Sequence, residues 1–205
     1  MKAALEDCAE AAAALRAGQL VVFPTETFYA IGADPIEPEA LAAIARAKGR
    51  EPDKPIALIA ADLDCAFSIA RVIPADARLM AEAFWPGPLT VVLPSRAGLH
   101  ESLLGPSGGI GVRVSPHPTA RALAATVGGL ITATSANLSG EPPARTLTQA
   151  RHALGVRISV YLDGGALTSD APSTVVEFDR DGEWRVVRTG VIGSDALAAA
   201  LERRR

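Results

Sequence analysis

"PTARALAATVGGLITATSANLSG", residues 118–140, passes through three textures without a linker. From Pro118 on, the apolar residues recur at helical spacing, which reads as a helix. Gly128 and Gly129 stop that helix. "LITAT" reads as a buried strand, and its end leads into "SANLSGEPPART", whose small polar residues and prolines exclude regular structure. Helix, buried strand and polar loop make up the repeating unit of an α/β domain, in which ligand sites gather at strand ends.

The same alternation extends outward. Upstream, an amphipathic helix over roughly residues 3–17 should bury Leu5, Cys8, Ala12 and Leu15 and stop at Gly18. After it come a strand in "QLVVFP", a loop or turn in "TETFYAIGADP", and a helix in "PEALAAIARAKG" that ends at Gly49. A short strand "IALIA", two helical stretches between about 62 and 83, a break at "WPGP" and strands in "LTVVLP" and "GIGVRV" follow. Downstream, a short helix precedes strands near "ISVYL", "STVVEF" and "EWRVVR", and a last helix starts at Ser194. Without a repeat or a convincing linker, the 205 residues are expected to form one α/β domain.

Composition narrows the function. Hydrophobic residues make up 49% and aromatics only 4%, so the core must rest on Ala, Val, Leu and Ile. A net charge of −3 argues against coating nucleic acid by bulk electrostatics, so any anion site is local. Cys8 and Cys65 form neither a disulfide framework nor a zinc motif. Acids in the first helix argue against a signal peptide, and no apolar run reaches membrane-spanning length; a cytoplasmic protein without membrane contact is expected.

Five polar stretches follow strand or helix ends: "PTET" at 24–27, "KGREPDK" at 48–54, "TSANLSG" at 134–140, "PST" at 172–174 and "RVVRTG" at 185–190. The second carries Lys48, Arg50 and Lys54 in a loop that proline and glycine keep from being helical. Arg50 can fork onto phosphate oxygens while the lysines add point charges, as a triphosphate requires. In "TSANLSG", Ser135, Asn137 and a close-approach Gly140 can cradle a head group or a phosphate. No Walker A loop, GxGxxG, HExxH or GxSxG motif is present, and His100, His117 and His152 stand in no recognisable catalytic setting. These parts suit nucleotidyl or phosphoryl transfer by positioning and charge neutralisation, with Mg²⁺ carried by the nucleotide and no protein metal site.

In this order and at these spacings, "FPTETFYAIG", "KGREPDKPIALI", "WPGPLTVVLP", "GVRVSPHP" and "TSANLSGEPP" resemble the YrdC/TsaC family, the threonylcarbamoyl-AMP synthases. The family's KxR…SxN signature is matched by Lys48, Arg50, Ser135 and Asn137, which the resemblance makes the catalytic set. It implies a short, single-domain form with an open, twisted, mixed sheet, flanking helices and a concave basic face. The implied reaction joins L-threonine, bicarbonate or CO₂, and ATP into threonylcarbamoyl-AMP and pyrophosphate, for the N6-threonylcarbamoyladenosine modification at position 37 of tRNA. Separate threonylcarbamoyl-transfer proteins would act downstream, and direct tRNA contact is left open. ATP would lie on Arg50, Lys54, Ser135, Asn137 and Arg188, and L-threonine near Thr25, Thr27, Arg113 and Ser173. The chain departs from the family pattern at Ala30, Glu51, Gly109 and Pro143; alanine at position 30 implies no positive φ there. An RNA-binding module, a related carbamoyl-adenylate-forming paralogue and a structural partner in a larger complex are the competing readings.

Overall fold

The computed structural model describes residues 2–49 and 54–202; Arg50, Glu51, Pro52 and Asp53 fall outside the described residues. Helix α1 (Lys2–Arg16) presents buried Ala11, Ala12 and Leu15 to the core with Cys8 half-buried beside them, and Gly18 at φ 72° turns the chain out of it. The Leu5 side chain, expected on the same face, is outside the described part. Strands β1 (Val21–Phe23) and β2 (Ala30–Gly32) pair antiparallel, Val22 opposite Ile31. Helix α2 (Pro38–Lys48) starts on Pro38 and ends on Gly49, whose φ of 58° is the left-handed turn that glycine accepts without strain.

Strand β3 (Leu58–Ala60), helices α3 (Leu63–Phe67) and α4 (Ala75–Phe84), and strands β4 (Leu89–Pro94) and β5 (Gly109–Val114) follow. Helix α5 (Pro118–Thr126), strands β6 (Leu130–Thr132) and β7 (Thr134–Ser135), and helix α6 (Leu147–Leu154) come next. Strands β8 (Val160–Tyr161), β9 (Thr174–Phe178) and β10 (Trp184–Arg188) precede helix α7 (Ser194–Glu202). The strands form two mixed sheets, ordered β7-β2-β1-β8 and β10-β9-β4-β5-β3-β6. The α/β class and the mixed sheet flanked by helices agree with the expectation, but the sheet is in two parts. Ala33 and Thr132 join them: the Ala33 N–H donates to Thr132 Oγ1 at 2.7 Å, and the Thr132 N–H donates to Ala33 O at 3.1 Å.

Two local expectations change. "LITAT" is not one strand: β6 ends at Thr132, the Ala133 N–H turns to Ala57 O, and β7 pairs with β2 in the other sheet. "TETFYAIGADP" is not all loop, because Ala30–Gly32 pairs on both sides, with Val21–Phe23 and with Thr134–Ser135. Backbone pairing from distant segments overrides the weak strand signal of "AIG". Ala30 lies on β2, and all positive-φ residues among those described are glycines.

Strand direction places the polar stretches. β4 runs parallel to β9 and antiparallel to β5, and β9 runs antiparallel to β10. The starts of β4 and β9 therefore share one end of the sheet with the ends of β5 and β10, gathering Thr90, Arg113, Ser173 and Arg188. "WPGP" ties that end together: the Gly87 N–H donates to Val114 O at 2.8 Å, and Pro88 O accepts the Thr174 N–H at 2.9 Å. A cavity of about 710 Å³, walled in part by Arg71, Ser107, Glu177 and Arg185, opens at the opposite end. No helix among the described residues is long and apolar enough to cross a membrane.

Candidate active site

The "PTET" loop leaves β1 and turns at once, held by Thr25. Thr25 is fully buried; its hydroxyl donates to Phe28 O at 2.7 Å and accepts from the N–H groups of Thr27 and Phe28 at 3.2 and 3.3 Å. This local turn directs the hydroxyl into its own loop. Thr27 Oγ1 lies 3.2 Å from Thr25 Oγ1 and has no other partner among the described residues. Tyr29 pins the next turn from below: its hydroxyl donates to Gly165 O at 2.8 Å and accepts the Gly164 N–H at 3.0 Å. Burial raises the Tyr29 phenol above its ordinary value, so it stays a neutral donor.

Between the two threonines, Glu26 reaches across to the end of β5. Its Oε1 lies 3.2 Å from Arg113 Nε, both side chains 12% exposed, and its Oε2 accepts the Ser115 hydroxyl. The Arg113 N–H is not aligned on Oε1, so this is a charge contact and not a hydrogen bond. On the neighbouring strands, Arg188 donates to Ser173 O from Nε at 3.2 Å and from Nη2 at 3.0 Å, and to Ser173 Oγ at 3.1 Å. Ser173, buried, shares its hydroxyl with Thr90 at 2.9 Å. Desolvation holds Arg188 below its ordinary value, and the nearby charge of Arg113 adds to the effect. Two guanidiniums and one carboxylate thus stand together at one sheet end, a place suited to an anion. His117, at the start of α5, has a buried Nδ1 without a partner among the described residues; burial lowers its pKa, and Glu26 opposes this less strongly.

The second cluster joins α2 to β7. The Lys48 ammonium donates to Ser135 O, to Asn137 O at 2.9 Å and to Asn137 Oδ1 at 3.3 Å. The Asn137 amide N–H groups donate to Leu138 O at 2.9 Å and Glu141 O at 2.6 Å. Lys48 and Asn137 therefore shape the "SANLSG" loop, whereas the Ser135 hydroxyl has no partner among the described residues. A cavity of about 410 Å³ opens beside Asn137, bounded by Glu141, Pro143, Gln149 and His152. The clusters are coupled because β2, which ends the "PTET" loop, pairs with β7, and Tyr29 O accepts the Ala136 N–H.

Of the site residues named from sequence, Thr25 and Thr27 share one loop, Arg113, Ser173 and Arg188 share one sheet end, and Lys48, Ser135 and Asn137 share the other cluster. Lys54 follows at an exposed position, and Arg50 lies outside the described residues. Sequence reasoning gave Ser115 no role, although a signal existed: residues two apart on a strand share a face, which puts Ser115 in line with Arg113. No group of three or more His, Cys, Asp or Glu able to hold a metal occurs among the described residues.

The family model Sua5/YciO/YrdC, described under telomere recombination, matches residues 13–190. The chain belongs to this family. A Chromohalobacter salexigens threonylcarbamoyl-AMP synthase is 37% identical to this Sua5/YciO/YrdC protein over 175 residues, covering 85% of this chain and 94% of that one. A Mycobacterium tuberculosis protein, provisionally named a threonylcarbamoyl-AMP synthase, is 38% identical over 191 residues, covering 93% and 87%. The crystal structure of P. abyssi Sua5 complexed with L-threonine superposes with a TM-score of 0.89 at 31% identity; it covers 95% of this chain but only 57% of the archaeal one.

Proposed function

We propose that this Sua5/YciO/YrdC protein is an L-threonylcarbamoyladenylate synthase, an adenylyl-transferring enzyme that uses ATP, L-threonine and bicarbonate or CO₂. Its product serves the threonylcarbamoyl modification of tRNA adenosine 37. The observation that carries the reading is the pairing of two anion-ready clusters, Arg113 and Arg188 at one sheet end and the Lys48-braced Ser135 loop beside it. A structure of P. abyssi Sua5, whose fold this chain shares, is complexed with L-threonine.

L-threonine lies with its carboxylate on Arg113, which can hold it bidentately, and its hydroxyl toward Thr27 and Ser173. Thr25 contributes by shaping the turn, since its own hydroxyl is engaged there. ATP phosphates meet Arg50, Lys54, Arg188 and the Ser135 hydroxyl, while Lys48 and Asn137 keep the loop in place. Mg²⁺ travels with the nucleotide, as this ion usually does, keeping waters and phosphate ligands. The neutral amine of threonine captures CO₂, and a carbamate oxygen then attacks the α-phosphorus as pyrophosphate leaves. The site's main work is to hold two mutually repelling anions in line. Mass spectrometry of reactions containing ATP, Mg²⁺, bicarbonate and L-threonine tests this. Threonylcarbamoyl-AMP should form and vanish when bicarbonate is removed; ATP consumption without that product overturns the reading.

A further inference from the structure

We infer that Glu26 is the positioning residue of Arg113 and that Ser115 holds Glu26 in place, a Ser115–Glu26–Arg113 chain that aims the guanidinium at the substrate carboxylate. The inference rests on the reading of this pocket as the amino-acid site. Ser115 is fully buried, and its hydroxyl oxygen accepts the His117 N–H at 3.1 Å. Its one proton is therefore committed to Glu26 Oε2. The other oxygen, Oε1, faces Arg113 Nε at 3.2 Å, and both atoms are sealed from solvent. The charge contact engages the inner edge of Arg113, and its Nη groups have no acceptor among the described residues. Arg188 is likewise held by its inner edge, but on the neutral oxygens of Ser173.

The difference matters for charge. Glu26 balances one of the two neighbouring cations, leaving one positive charge for one incoming carboxylate; without Glu26 the guanidiniums would repel each other and Arg113 would be free to swing. Glu26 Oε1 is sealed from solvent against Arg113 Nε, and Oε2 is taken by the Ser115 hydroxyl, so Glu26 acts through Arg113.

Steady-state kinetics on the full chain test this, with KM for L-threonine and for ATP measured separately. Glu26→Gln should raise the threonine KM about tenfold while the ATP KM moves less than about twofold. Ser115→Ala should shift the threonine KM in the same direction by less, and Ser115→Thr, which keeps the hydroxyl, should restore it. Adding Glu26→Gln to Arg113→Ala should change nothing further. The inference is overturned if Glu26→Gln lowers kcat at constant threonine KM, if it raises both KM values alike, or if its effect persists in the Arg113→Ala background. Should Glu26→Gln fail to fold, the Ser115 pair decides, with equal KM values in Ser115→Ala and wild type counting against it. A wild type that shows no threonine-dependent turnover overturns the functional reading, and this inference falls with it.

Discussion

Lys48 shows how a charge legible in sequence can act at one remove. The residue is 5% exposed and its ammonium donates to three oxygens of the "SANLSG" loop, so the cation organises the loop proposed to meet the nucleotide. Lys48→Met should leave those buried oxygens without their donor, cost about 1–3 kcal/mol of stability and raise the ATP KM; thermal melting and kinetics check both. A melting temperature equal to wild type would contradict the bracing role. His117 makes a pH prediction. Burial holds its pKa below the unfolded value of about 6.5. As the pH falls through about 6.5, the unfolded chain binds a proton that the folded chain does not, so stability drops until the folded pKa is passed. In urea titrations, His117→Gln should lose less stability than wild type between about pH 7 and pH 5; an equal or steeper loss would refute the assignment.

Among the elements, the segment joining β10 to α7 is tightly constrained near the site. A Cβ at Gly190 would stand 2.2 Å from Pro172 O and 2.5 Å from Ser173 C, so only glycine lets this backbone pass. Thr174 fastens the same segment, accepting the N–H groups of Gly190 and Ile192. Gly190→Ala should push Arg188 away from Ser173, destabilise the fold by about 1–3 kcal/mol and raise the threonine KM; unchanged melting and kinetics would show that the backbone yields there. Helices and long strands were readable because caps and apolar spacing are local signals, as at Pro38 and Gly49. β2 and β7 were not, since three- and two-residue strands carry almost no periodicity and exist through their pairing with each other and with β1. "WPGP" was read as a break, whereas its backbone bridges β5 and β9.

Across the whole molecule, the alternation of helix and strand was enough for the α/β class, and ordered motifs carried the family. What a linear reading lacks is adjacency: Glu26, Arg113, Ser173 and Arg188 meet only because strand directions bring four distant segments to one sheet end. The Glu26–Arg113 contact could not be foreseen, because nothing local in either stretch says that the "PTET" loop meets the end of β5. In the proposed reaction the two clusters divide the work of holding the amino acid and the nucleotide. The most direct measurement is pyrophosphate release from ATP with Mg²⁺ and bicarbonate, with and without L-threonine, for wild type and Arg50→Ala. The account predicts threonine-dependent release by wild type and its collapse in the variant; release that ignores threonine, or that survives the loss of Arg50, would contradict it.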